Sequence, residues 1–295
     1  MITRILAPVD GCEQSEAVLP YVEELSDRLS AHVTLLHVFP TTLHEQREAH
    51  MRYVETLAAQ LRERLRHSGV DVVAVAMEGT PNQEIADYAA RDEIGLIAAA
   101  PHSQSSGGHW NVGRTTDKVI RQTTKPVLLV AADHMSDVPR NSLMSRILVP
   151  LDGSRASREV LPHVEAVLRR DWNEGDSMVC LLHVIPAEHY AAGPIIAKRV
   201  PYEKEESDAL QAQASRYLEE VAAKLRARGR SVLTHVAVGD AASMILSTSA
   251  EIGANLIAMT THGYSGFSRL FLGSVAERVL HHSSVPLLLV KPERY

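Results

Sequence analysis

A chain of 295 residues exceeds one typical domain and suits two, each able to bury a core. Its hydrophobic content of 45% is that of an ordinary globular protein, its apolar runs fall short of the ~18 residues that span a bilayer, and a formal charge of −6 argues against a broad nucleic-acid surface. Cys12 and Cys180 are too few for a disulfide framework or a Cys-based zinc site, and no signal-peptide pattern opens the chain, so a cytoplasmic setting is expected.

Strand and helix patterns then alternate. In the first half, strands are predicted over 3–9, 32–38, 71–76, 95–99 and 126–130, with helices over 13–29, 45–67, 81–91 and 113–122 between them. Val18, Val22, Leu25 and Leu29 share one helical face, whereas the strands are continuous apolar runs of the kind covered on both sides. Residues 131–145 read as a linker. The second half repeats the series: strands over 146–151, 178–184, 232–237, 255–259 and 286–290, and helices over 157–169, 203–228, 241–251 and 273–281. The expected fold is α/β, two tandem doubly wound domains at 1–131 and 145–295, each a five-stranded parallel sheet of order 3-2-1-4-5.

The halves are also copies in sequence. Arg4-Ile5-Leu6-Ala7-Pro8-Val9-Asp10-Gly11 matches Arg146-Ile147-Leu148-Val149-Pro150-Leu151-Asp152-Gly153, and Leu35-Leu36-His37-Val38 matches Leu181-Leu182-His183-Val184. Gly79 and Gly113 correspond to Gly239 and Gly273, in the same order. The second copy is longer between His183 and Gly239, and the extra residues fall in 186–201. Pro186, Gly193, Pro194 and Pro201 predict a loop there.

Between the fourth strand of copy two and its last helix lies Thr260-Thr261-His262-Gly263, then nine residues, then Gly273-Ser274-Val275. A glycine-bearing loop entering a helix lets backbone N–H groups approach a phosphate, which the helix dipole favours, and Ser274 adds a hydroxyl. In a sheet of this order ligands sit beyond the carboxyl ends of strands one and four, which sets Asp152 opposite that loop. Neither Gly-x4-Gly-Lys-Ser/Thr nor the dinucleotide fingerprint is present.

These residues resemble the universal stress proteins of the tandem-domain type. Nucleotide-binding members carry Gly-x2-Gly-x9-Gly-Ser/Thr, matched here from Thr260 to Ser274 at all but the first position, and the likeness extends to Val149-Pro150-Leu151-Asp152-Gly153-Ser154 and to strand five of both halves. The resemblance implies that ATP or a related adenine nucleotide is held by the second domain. Asp152, beside Pro150, would lie near the ribose or a phosphate-bound Mg²⁺ or Mn²⁺, and Val184 would meet the adenine through its backbone. Gly263, Gly273, Ser274 and Val275 would hold the phosphates, with Met259, Thr260 and His262 lining the same cleft. The β-branched Thr260 stands where the family has Gly and is expected to weaken or displace the nucleotide. In copy one, Ser103 replaces the middle glycine and Arg114 the hydroxyl residue, so a degenerate site is expected, with Arg114 able to plug it or to contact a phosphate.

The resemblance further implies that strand five, 127–130 and 287–290, pairs the halves into an internal pseudo-dimer. A homodimer of whole chains is a further arrangement the sequence allows, while membrane and nucleic-acid partners are not expected. His37 and His183 read as structural residues, and His281-His282 as partners of a helix dipole. Two rival functions stand beside nucleotide-dependent regulation: slow metal-dependent ATP hydrolysis through Asp152, and a nucleotide-free interaction scaffold.

Overall fold

Side chains on a strand alternate between faces, so an apolar run buried throughout must separate two cores. The computed structural model describes residues 2–101, 113–130, 143–168, 177–191, 198–262 and 272–292. Its first half runs β1 (Arg4–Val9), α1 (Glu13–Glu16), α2 (Leu19–Leu29), β2 (His32–Phe39), α3 (Arg47–Arg64), β3 (Val72–Glu78), α4 (Pro81–Ala89), β4 (Leu96–Ala99), α5 (Arg114–Gln122) and β5 (Val127–Leu129). The second half runs β6 (Arg146–Pro150), α6 (Leu161–Val167), β7 (Met178–Ile185), β8 (Glu188–Ala191), β9 (Lys198–Pro201), α7 (Lys204–Arg226), β10 (Ser231–Val238), α8 (Ala241–Glu251), β11 (Leu256–Thr260), α9 (Ser274–His282) and β12 (Leu287–Val290).

The strands form one sheet of ten, in the order β10-β7-β6-β11-β12-β5-β4-β1-β2-β3. Pairing within each half is parallel, and the halves meet where β12 lies antiparallel to β5, Leu287 opposite Leu129 and Leu289 opposite Val127. Each half keeps the expected order 3-2-1-4-5, and neither fifth strand is an edge of the ten-stranded sheet, because each covers the other's open ladder. Ile147, Val149 and Leu288 face one core, and Leu148, Leu287 and Leu289 the other, so both cores run through both halves.

Three local departures have physical causes. The helix expected over 13–29 breaks into α1 and α2, because Pro20 supplies no N–H to an intact helix and sits in the first turn of α2. The helix expected over 157–169 begins as a 3₁₀ turn, Ser157–Val160, and becomes α-helical only around Pro162. Segment 186–201 is not wholly loop: β8 and β9 pair antiparallel, Glu188 opposite Pro201.

Polar contacts reinforce the joint between halves. Lys291 Nζ donates to the Arg121 and Thr123 carbonyls at the end of α5, at 2.9 and 3.3 Å. Arg28, paired with the buried Glu24, donates to the Val167 carbonyl at 3.1 Å, while Glu24 Oε2 accepts from the Leu143 N–H at 3.2 Å. Burial pushes the Glu24 carboxyl above its usual range, and Arg28 opposes that shift. Among the described residues no helix is long and apolar enough to cross a membrane. Leu288 lies opposite Leu128 and is 2% exposed. Leu288→Ala is expected to lower stability to urea by about 2–5 kcal/mol, and a loss below about 0.5 kcal/mol would show that the strand joint is not tightly packed.

Candidate functional site

The crevice follows from where the strands stop. β6 ends at Pro150, opposite Leu182, while β7 continues to Ile185. On its other edge β6 pairs with β11 through Ile147 and Leu148. Beyond the end of β6 a cavity of about 200 Å³ opens. Pro150 and Asp152 reach it from β6, Val184 from β7, Met259, Thr260 and His262 from β11 and the turn after it, and Gly273, Ser274 and Val275 from the start of α9. Nine of the ten residues singled out in the sequence thus line one cavity. Gly263 lies outside the described residues.

Gly273 is required here by close approach. Its N–H donates to the Thr261 carbonyl at 2.8 Å, and a Cβ at this position would meet that oxygen at 3.1 Å. It is the N-cap of α9 and offers no capping side chain, so the first N–H groups of the helix are left for an external acceptor. Thr260 is buried and its Oγ1 donates to the His262 carbonyl at 2.8 Å, while Thr261 Oγ1 and His262 Nδ1 lie 3.0 Å apart. The hydroxyl that the family pattern lacks therefore ties the strand end to the turn. Asp152 is exposed, and its Oδ1 accepts from the Ser154 N–H at 2.9 Å across a turn in which Gly153 has φ of +86°. Turn-capping and a place in the cavity wall coexist in this one carboxylate.

Sequence reasoning missed the contribution of α8. Ala241 and Ile245 also line the cavity, and Asp240, the N-cap of α8, accepts from Ser243 N–H at 3.1 Å. Asp240 is bound to Arg278 of α9 at 2.8 Å, fixing the two helices on either side of the opening. The Gly239-Asp240 turn, matched to Gly79 in the repeat, was the available signal. The Arg278 hydrogen bond and those from Ser243 hold the Asp240 carboxyl down at about 2. No described residue lining this cavity is Lys or Arg, and no group of three or more metal-ligating side chains occurs among the described residues.

Copy one has a cavity of about 320 Å³ at the equivalent place, reached by Asp10, Val38, Gly113 and Arg114. Arg114, expected from sequence either to plug the site or to contact a phosphate, is exposed and lies in the cavity wall. A Cβ on Gly113 would meet nothing within 4 Å. Burial and Asp10 push the Cys12 thiol up, burial puts Cys180 at about 11, and His282 Nδ1 lies 2.9 Å from the Arg278 carbonyl near the end of its helix.

A model of the universal stress protein family matches residues 1–131 and 144–291. The chain belongs to that family. A universal stress protein of Methanocaldococcus jannaschii is 28% identical over 159 residues, covering 53% of this chain and 89% of its own. A universal stress protein of Mycolicibacterium smegmatis is 24% identical over 303 residues, 98% of this chain and 97% of its own, so the tandem form recurs there. The crystal structure of a universal stress protein from Archaeoglobus fulgidus shares the fold with a TM-score of 0.70 at 22% identity, covering 98% of both chains.

Two measurements check the local geometry. Because the folded-state pKa of Asp240 is depressed, its stabilising contribution is present above the ordinary value of 3.8 and is lost as pH falls towards about 2. Arg278→Ala is expected to move the Asp240 midpoint, followed by carboxyl NMR, up towards 3.8; an unmoved midpoint would remove Arg278 as the cause. Gly273→Val, which must displace the Thr261 carbonyl, is expected to cost about 1–3 kcal/mol. Gly113→Val, facing open space from the same N-cap position, is expected to cost much less, and equal losses would contradict the close contact.

Proposed function

We propose that the C-terminal half binds ATP or a related adenine nucleotide in the cavity between β6 and β11, and that the bound nucleotide regulates a stress response or a partner interaction. The observation that carries this reading is the meeting of Asp152 with the uncapped start of α9 around one cavity. Apolar walls from Val184, Ile245 and Met259 suit a base, while Gly273, Ser274 and Val275 offer N–H groups and a hydroxyl to phosphates. Gly263 belongs to the same proposal.

A polyphosphate would enter a wall lined, among described residues, by no cationic side chain. Helix α9 offsets part of that charge, and an accompanying Mg²⁺ or Mn²⁺ would supply the rest. The donor set fits a cation carried in by the nucleotide: one exposed carboxylate, Asp152, with phosphate oxygens and water completing the shell. The proposal divides the chain into units 1–131 and 145–295, joined through β5 and β12 as an internal pseudo-dimer. Copy one is its structural counterpart, with Arg114 where copy two has Ser274.

Calorimetric titration with ATP and Mg²⁺ tests the reading. Saturable binding is expected in the wild type, weakened about tenfold or more, or roughly 1.4 kcal/mol, by Asp152→Ala and by Ser274→Ala. Absence of saturable binding by the wild type would sink it and favour the scaffold. Steady release of ADP by the wild type, absent in Asp152→Ala, would establish hydrolysis in place of binding alone.

A further inference from the structure

The two copies differ most informatively behind the candidate nucleotide site, between the second strand and the long helix that covers it. In copy one, His37 Nδ1 lies 2.9 Å from the Val9 carbonyl and His37 Nε2 lies 2.9 Å from His50 Nδ1. A carbonyl only accepts, so Nδ1 of His37 carries the proton and its Nε2 presents a lone pair to the N–H of His50. The His50 ring stacks on Phe39 with centroids 4.4 Å apart and planes 5° apart, and Tyr53 packs edge-on to His37 at 5.1 Å. Burial and the neighbouring His37 hold the His50 pKa below its usual value, which keeps this N–H donor neutral.

Copy two keeps the frame and lacks the filling. His183 Nδ1 lies 2.7 Å from the Leu151 carbonyl, and Tyr217 packs edge-on to His183 at 6.1 Å with the same 71° between planes. The covering helices align through Arg62 and Arg226, each ion-paired to a glutamate seven residues earlier and each donating to the carbonyl of the matching strand, Val72 or Val232. In that alignment Ala214 replaces His50, and the matching strands place Ile185 where copy one has Phe39. Where copy one seats an imidazole, copy two has a cavity of about 370 Å³, reached by His183, Ile185, Gln213, Ala214 and Tyr217. Among the described residues the His183 Nε2 has no hydrogen-bond partner, and the Nδ1 anchor turns it towards Ala214 as His37 turns towards His50. Asp152 lines both this cavity and the first one.

We propose that this second cavity is a binding site for a small planar heterocycle bearing a ring N–H, which takes the place of the missing His50 ring and donates to His183 Nε2. Ile185 supplies apolar contact in place of Phe39, the Tyr217 ring stands where copy one has Tyr53, and Gln213 offers an amide to a second polar edge of the ligand. The site lies on the other side of Asp152 from the proposed nucleotide cavity and does not depend on what that cavity holds.

Benzimidazole, with a ring N–H, and 1-methylbenzimidazole, without one, are suitable probes for NMR titration of the full-length protein. Saturable binding of benzimidazole is expected, with chemical-shift changes at the His183 ring and at Ala214, and at least tenfold weaker binding of the methylated probe. Ala214→His, which restores the copy-one arrangement, is expected to abolish binding. No saturable binding of benzimidazole, equal binding of both probes, or undiminished binding to a folded Ala214→His protein would each overturn the proposal. The comparison of the two probes uses only wild-type protein, so a variant that fails to fold leaves the test intact.

Discussion

The parallel pairing of β6 with β7 on one edge and β11 on the other is the constraint on which the rest of the molecule depends. Ile147 and Leu148 align with Val179 and Cys180 across one edge and with Leu256 and Ile257 across the other. Connections to those two neighbours leave in opposite directions along the sheet, and the chain ends beyond the strands are forced apart. Past Leu148 and Ile257 the two strands no longer pair with each other, and each stays paired on its far edge: Val149 and Pro150 to β7, Ala258, Met259 and Thr260 to β12. The turn after β6 and the turn after β11 are thereby brought face to face across the crevice.

What fills that crevice depends on small substitutions laid over a duplicated frame. In copy two, Gly273 lets the α9 start close onto the Thr261 carbonyl, and Thr260 locks the strand end to His262. Copy one retains Asp10 and a glycine at the helix start, yet there the glycine faces open space and Arg114 follows it. Cavity volume favours copy one, at about 320 against 200 Å³, so volume alone does not rank the two. Both helix starts lack a capping side chain, so the distinction lies in the first helical residue, Ser274 in copy two and Arg114 in copy one. A similar exchange behind Asp152, Ala214 for His50, replaces a packed imidazole by space.

Much of this was legible in the sequence because duplication supplied an internal comparison. The apolar strand runs, their order and the facing of Asp152 with the loop that ends at Gly273 followed from alternation and topology, whereas Pro150, Val184 and Met259 were reached only through the family resemblance. Boundaries slipped where proline acted: Pro20 divides the first helix, and the helix around Pro162 starts late. The ribbon β8–β9 was hidden by Pro186, Pro194 and Pro201, which mark turns without excluding short antiparallel pairing between them. Tertiary contacts were the least legible. Nothing local in sequence announces that Arg278 reaches Asp240, or that His50, thirteen residues from His37, completes a stacked pair.

The central claim is that the nucleotide sits between β6 and β11 and not at the equivalent place in copy one. Photolabelling with 8-azido-ATP, followed by proteolysis and mapping of the labelled peptide, tests it most directly. The account predicts label, competed away by ATP, on peptides of the C-terminal half around Val184 or Met259. Competed label confined to peptides around Val38 or Ala99 would contradict it.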